Sequence, residues 1–160
     1  MRIALVYDLR DDYRALGFSE EAVAEFDSVE TIDALAGAIE TLGCEPIRVG
    51  RGPRGVAVGE TSVWVANASD GTVTRIDPAA GEVVGDPIPV GRDPRELTIG
   101  EGSVWVANAR DSTVTRIDPA DGEVVGDPID VGEDPIGITV GAGSVWTANF
   151  RADTVTQIRP

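Results

Sequence analysis

The chain has 160 residues, a formal net charge of −15 and no histidine. Because phosphate contacts need clustered Lys and Arg, this acidity argues against a nucleic-acid partner. The absence of imidazole excludes Ser-His and Cys-His catalysis and histidine-ligated metals. No apolar run approaches the roughly 20 residues of a membrane span, and the N-terminus has no small-residue cleavage site of a signal peptide, so we expect a cytoplasmic protein with no membrane partner. We also expect no metal and no cofactor. We expect the single Cys44 to be a small buried apolar residue.

The first 50 residues have the pattern of a strand, a helix and a second strand. Residues 2–8, RIALVYD, form an apolar run that is typical of a buried parallel strand. Residues 27–43 place their apolar side chains on one face at the helical period, between a polar start and a final glycine. The stretch EPIRVG at 45–50 is the next short apolar strand. We therefore assign residues 1–43 to a Rossmann-like βαβ unit.

This segment also resembles a known family. The stretch MRIALVYDLRDDY, followed by GFSEEAVAEFDSVETIDALAGAIETLG, resembles the preATP-grasp region that opens the D-alanine:D-alanine ligases. The resemblance implies that Glu25 and Ser28 would help to hold a substrate amino acid. Residues 51–160 contain no counterpart of the ATP-binding and Mg-binding domains of that family, and no Gly-rich phosphate loop of the Walker type.

A repeat of 41 residues dominates the rest of the chain. Units 50–90 and 91–131 align without a gap and differ at ten positions, and a third unit, 132–160, stops before its fourth strand signal. Each complete unit has four short strand signals separated by turns rich in Gly, Pro and Asp. Four antiparallel strands in about 40 residues are typical of one β-propeller blade.

The repeated motifs VWVAN and VTRIDP resemble bacterial propeller repeats of the lactonase-like and virginiamycin B lyase-like group. The resemblance implies a propeller fold, but such propellers serve as enzymes, sensors and interaction platforms, so no activity follows from it. The predicted fold class is α+β. A βαβ unit at 1–43 is followed, within 44–160, by about three mainly antiparallel propeller blades.

Three sets of side chains recur at the 41-residue period and are the candidates for ligand binding. They are Trp64, Trp105 and Trp146, then Asn67, Asn108 and Asn149, and finally Arg75 and Arg116. Each set also has a structural interpretation. The tryptophans would pack between blades, and the asparagines would cap turns. The arginines would form ion pairs with nearby aspartates, and a charged ring around a central channel is the alternative for them.

The segment CEPIRVG fits two interpretations. It completes the βαβ unit, and it also matches GDPIPVG and GDPIDVG, which follow at intervals of 41 residues. In the second interpretation, residues 44–49 are the outer strand that the third unit lacks. Two copies that exchange this strand would then close a six-bladed ring, so we expect a homodimer.

The function that best fits the sequence is a non-catalytic propeller-type binding or scaffold module that assembles through blade packing into a closed ring. The small-molecule or protein ligand is not specified by the sequence. Two alternatives stay open. The first is a lyase or hydrolase that uses carboxylates and Arg at a propeller centre. The second is a chimera or fragment with no evolved activity that retains a ligase-like N-terminal unit.

Overall fold

The computed structural model describes residues 46–160, which form twelve strands. In chain order the strands are β1 (Pro53–Val58), β2 (Val63–Asn67), β3 (Thr72–Asp77), β4 (Glu82–Val83), β5 (Ile88–Pro89), β6 (Pro94–Gly100), β7 (Ser103–Asn108), β8 (Thr113–Ile117), β9 (Ile129–Asp130), β10 (Pro135–Gly141), β11 (Ser144–Asn149) and β12 (Thr154–Ile158). Their spacing follows the repeat, because hydrophobic strand residues and turn residues recur together every 41 positions.

The strands form three antiparallel sheets, which we call blades 1, 2 and 3. Blade 1 runs β1-β2-β3-β4 with β5 also paired to β3, blade 2 runs β6-β7-β8-β9, and blade 3 runs β10-β11-β12. The registers agree, since Trp64 lies opposite Arg75 in blade 1 and Trp105 lies opposite Arg116 in blade 2. The first strands of neighbouring blades lie beside each other, so β1, β6 and β10 form the inner side of the stack.

The outer strand of a blade is interrupted. In blade 1, β4 pairs with the end of β3, the chain bulges outward at Gly85 with φ 72°, and β5 then pairs with the start of β3. Blade 2 repeats this arrangement with Gly126, also at φ 72°. Glycine suits both positions because an L side chain is strained in this left-handed region.

The turn between the first two strands differs in blade 1. Blades 2 and 3 use two-residue turns, and in blade 2 Glu101 and Gly102 both have positive φ, as a type I′ hairpin requires. Blade 1 has Thr61 at the second of these positions, and a β-branched residue is disfavoured there. The first two strands of blade 1 are each one residue shorter than those of blade 2, although Gly59 N–H still donates to the Ser62 carbonyl at 2.8 Å, across the turn.

The core lies between blades. We call the side of a blade that faces the preceding blade its leading face, and the side that faces the following blade its trailing face. The interface between blades 1 and 2 joins the trailing residues Trp64, Ala66, Val73, Ile88 and Val90 to the leading residues Leu97, Val104, Val106 and Ile117. The interface between blades 2 and 3 joins Trp105, Ala107, Val114, Ile129 and Val131 to Ile138, Val145 and Ile158. A 41-residue shift converts the first set into the second, except that Val106 corresponds to Thr147.

The predicted α+β class was wrong for the part of the chain that the structure describes. Residues 46–160 are all β, with antiparallel pairing throughout. The predicted βαβ unit at 1–43, with Glu25 and Ser28, lies outside the described residues. Residues 46–49, offered as a second parallel strand or as an outer blade strand, belong to neither kind of sheet here. Within 46–160 no helix has the length and apolar character needed to cross a membrane.

Candidate functional site

The repeated asparagines tie the second strand of each blade to the third. Asn67, Asn108 and Asn149 are buried, and the side-chain Nδ2 of each donates to two threonine hydroxyls on the third strand at 2.8 to 3.1 Å. The sequence predicted an amide that caps a turn, whereas the structure places a cross-strand bond in the interior. These amide donors are occupied within the fold.

The amide oxygens of the asparagines differ between blades. Asn149 Oδ1 accepts a hydrogen bond from Thr147 Oγ1 at 3.0 Å, whereas Asn67 Oδ1 and Asn108 Oδ1 are buried and have no partner. The residue that corresponds to Thr147 is Val65 in blade 1 and Val106 in blade 2. One hydroxyl therefore explains why only blade 3, among the described blades, satisfies this amide completely.

We predict that Val106→Thr leaves stability nearly unchanged, although it buries a hydroxyl. Val106 is fully buried, and a buried hydroxyl without a partner costs about 1–3 kcal/mol. Here the new threonine Oγ1 would donate a hydrogen bond to Asn108 Oδ1, as Thr147 Oγ1 does to Asn149 Oδ1. This bond would offset the free-energy cost of removing the hydroxyl from water.

Val104→Thr is the matched control. Val104 is equally buried on the same face, but it lies about 7 Å from Val106 along the strand, on the side away from Asn108. We expect only Val104→Thr to lower the free energy of unfolding, measured by urea denaturation. Equal losses in the two variants would contradict the assignment.

The repeated arginines lie across the tryptophans of their own blades. The guanidinium of Arg75 lies 5.3 Å from the ring centre of Trp64, and Arg116 lies 5.2 Å from that of Trp105. Each Nε donates to a serine hydroxyl, that of Ser62 just before β2 at 2.9 Å and that of Ser103 at the start of β7 at 2.8 Å. The nearby aspartates predicted as ion-pair partners are not the groups that hold these side chains in place.

Arg75 also connects two blades, since its Nη1 donates to the Ala120 carbonyl at 3.1 Å. It borders a groove of about 430 Å³ between the outer strand of blade 1 and the β8–β9 connection of blade 2, where Asp86, Asp121 and Glu123 also lie. Both repeated arginines lie on the third strand of a blade rather than on the inner strands. The structure therefore places them away from the position that a ring around a central channel would require.

The three tryptophans differ in burial. Trp64 and Trp105 are about 1% exposed between blades, whereas Trp146 is half-buried on the trailing face of blade 3. The indole N–H groups of Trp105 and Trp146 donate to the carbonyls of Gly100 and Gly141, both at 2.9 Å. In blade 3 the arginine is replaced by Gln157, which donates to the equivalent serine.

Sequence reasoning missed a second repeated polar contact. Arg51 Nε and backbone N–H both donate to Asp70 at 2.7 Å, and Arg92 donates likewise to Asp111 at 2.6 and 2.7 Å. The bond from the Arg92 backbone, followed by that from its guanidinium, holds the pKa of the Asp111 carboxyl below its usual value. The repeated GR and SD or RD pairs, 19 residues apart, were the available signal.

The two ends of the blade stack expose residues that the interior buries. Val56 and Val58, on the leading face of blade 1, are 61% and 74% exposed, while the residue equivalent to Val56 in blade 2, Leu97, is 3% exposed. On the trailing face of blade 3, Val155 is 66% exposed, whereas its equivalent in blade 2, Val114, is fully buried. The trailing face of blade 3 is thus uncovered at Val155, whereas the leading face of blade 1 is exposed only in part, because Val65 and Ile76 on the same face are 6% and 3% exposed.

Comparisons with known proteins bear on the fold. No protein family and no curated protein matches the sequence. Among solved structures, the chain is similar to a streptogramin B lyase, with 18% identity and a TM-score of 0.59 over 69% of this chain and 38% of that one. It is also similar to a catalytically inactive histidine-to-alanine variant of virginiamycin B lyase from Staphylococcus aureus, with 22% identity and a TM-score of 0.56 over 67% and 38%. A third similar structure is Kuenenia stuttgartiensis hydrazine synthase, with 21% identity and a TM-score of 0.58 over 64% of this chain and 30% of that one.

These likenesses confirm the resemblance to propeller repeats of the virginiamycin B lyase-like group at the level of fold. The matched part of the chain spans 30 to 38% of the length of those proteins. The comparisons give no support to the resemblance between residues 1–50 and the D-alanine:D-alanine ligases.

Proposed function

We propose that this chain is a non-catalytic scaffold module that associates with further propeller blades through the trailing face of blade 3 and the exposed part of the leading face of blade 1, and so completes a closed ring. The observation that carries the proposal is the contrast in exposure at repeat-equivalent positions. Val114 is fully buried, whereas Val155, in the same place one blade later, is 66% exposed. Covering both ends would bury apolar side chains at about 25 cal/mol per Å² of apolar surface.

The polar side chains support a structural rather than a chemical role. The repeated asparagines and arginines each donate hydrogen bonds to groups within the fold, and these bonds join neighbouring strands of a blade. The described residues contain no group of three or more metal-binding side chains. The chain also contains no histidine, the residue type whose replacement accompanies inactivity in one of the similar structures.

An exposed interface of this kind has a defined geometry. The leading face of blade 1 and the trailing face of blade 3 are different surfaces, so their association is head-to-tail rather than self-complementary. Head-to-tail contacts close into a ring when the rotation between blades allows it. Two copies would supply six blades, which lies within the usual range for propellers.

The test is the mass in solution. The chain mass is 16.7 kDa, so we expect light scattering at micromolar concentration to give about twice this value. Because two chains of charge −15 repel each other, association should strengthen as salt screens that repulsion. A monomer mass at micromolar concentration, in low and high salt alike, would contradict the proposed function.

A further inference from the structure

We infer that Pro46–Val49 is the missing outer strand of blade 3 in a second copy of this chain. The inference rests on the proposed function and specifies its partner and its register. The partner surface is the side of β12 that faces away from β11, and that side pairs with no strand among the described residues. In blades 1 and 2 the same side of the third strand is covered by β5 and β9.

The segment has the side chains that blade 3 lacks. In blade 1 the outer strand places Ile88 and Val90 against the trailing-face core, and in blade 2 Ile129 and Val131 do the same. The corresponding residues one period earlier are Ile47 and Val49. Added to β12, these two side chains would complete the trailing face next to Val155.

The segment also connects to blade 1 in the way that an outer strand connects to the blade that follows it. Ala68 N–H donates to the Gly52 carbonyl and Ser69 N–H to the Arg51 carbonyl, just as Ala109 and Arg110 bond to the segment before β6. A Cβ on Gly50 would lie 2.7 Å from the Asn67 side chain, and the same close approach is seen at Gly91 and Gly132. Residues 50–52 thus contact blade 1 in the way that the linker after β5 contacts blade 2 and the linker after β9 contacts blade 3. Since those linkers come from the outer strand of the preceding blade, residues 46–49 occupy the sequence position of such an outer strand.

The acceptor on blade 3 is already in the required conformation. In blade 1 Val90 N–H donates to the Gly71 carbonyl at 2.9 Å, and in blade 2 Val131 donates to Ser112 at 2.9 Å. Gly71, Ser112 and the equivalent Asp153 share a left-handed backbone, with φ of 66°, 57° and 52°. The repeat therefore predicts that Val49 N–H donates to the Asp153 carbonyl of the second copy.

The strand pairs in blades 1 and 2 also fix the register in which Pro46–Val49, which we call the lent strand, would pair with β12 of the second copy. In blade 1, Ile88 lies opposite Val73 and Pro89 lies opposite Thr72, and in blade 2 Ile129 lies opposite Val114. Shifted by whole repeats, these pairs place Ile47 opposite Val155 and Arg48 opposite Thr154. Residues directly opposite in an antiparallel pair have Cα atoms about 4.5–5.5 Å apart, which is within the range that a disulfide bridges.

A mixture of two single-cysteine chains tests this register. In a Cys44→Ser background, one chain carries Ile47→Cys and the other carries Val155→Cys. The mixed chains are allowed to exchange and are then oxidised. We expect a disulfide-linked species of twice the chain mass on a non-reducing gel from the mixture, and not from either chain alone. A Val125→Cys chain is the control partner, because Val125 lies on blade 2 away from both open faces.

The outcomes separate the two proposals. Selective linkage between positions 47 and 155 supports the lent strand. If the wild-type protein has twice the chain mass but linkage to position 155 is no greater than linkage to position 125, the lent strand is wrong and the scaffold proposal stands. If the protein stays monomeric and no linkage forms, both are wrong.

Discussion

Val155→Asp is expected to convert the assembled protein into monomers of the 16.7 kDa chain mass. Val155 is 66% exposed in the single chain, so the carboxylate stays hydrated there and the fold should tolerate it. In the assembly the same position corresponds to the fully buried Val73 and Val114. A charge buried there without a partner costs several kcal/mol, which is enough to shift the equilibrium by orders of magnitude.

The control for this variant must carry the same added charge at an exposed position away from the proposed interface. Val125→Asp meets that condition, because Val125 is 39% exposed on blade 2, which already has a neighbour on each side. We expect Val125→Asp to keep the assembled mass and Val155→Asp to lose it, as measured by light scattering at the same concentration. An assembled mass for both variants would exclude the trailing face of blade 3 from the interface.

A complementation experiment distinguishes a head-to-tail contact from a symmetric one. Val56→Asp places a charge on the leading face of blade 1, so alone it should also give monomers. A mixture of Val56→Asp and Val155→Asp chains retains one unmodified pair of faces, and we expect it to form a heterodimer. A symmetric contact between two copies of one face could not be restored in this way.

The propeller part of the fold was predictable because its signal is repeated. Strand residues such as VWVAN recur at a fixed interval together with turn residues, so a single local ambiguity is resolved by the other copies. Blade packing of the tryptophans followed from the same argument, since Trp64 and Trp105 lie in apolar strands. The interruption of the outer strand at Gly85 and Gly126 was not predicted, although a glycine within an apolar strand is a known signal of a bulge.

The polar contacts were less predictable. Sequence proximity favoured an ion pair between Arg75 and Asp77. Instead, Asp77 Oδ1 accepts hydrogen bonds from the backbone N–H groups of the following turn, and the Arg75 guanidinium lies over Trp64. The bond between Arg92 and Asp111 joins two loops 19 residues apart, which no local pattern specifies. Within the described residues, the α+β class rested on the interpretation of Pro46–Val49 as the second strand of the βαβ unit, and so short a segment does not show in its own sequence which strand it joins.

The second large effect expected is that of Trp105→Ala, which we predict to lower the free energy of unfolding by about 3–5 kcal/mol. Trp105 is 1% exposed in the interface between blades 2 and 3, donates to Gly100 and lies under the Arg116 guanidinium. Its removal leaves a cavity, takes away the hydrogen bond to the Gly100 carbonyl, and removes the aromatic ring on which the Arg116 guanidinium lies.

Trp146→Ala is the comparison that relates this loss to assembly. Trp146 makes the same bond to a glycine carbonyl but has no following blade and no arginine above it, so in the monomeric Val155→Asp background its replacement should cost clearly less than that of Trp105. In the unmodified chain, the cost of Trp146→Ala should rise with protein concentration, because association covers its ring and thereby stabilises the folded state. Thermal unfolding of both variants over a range of concentrations measures this. A cost for Trp146→Ala that is independent of concentration would mean that no second blade covers the trailing face of blade 3.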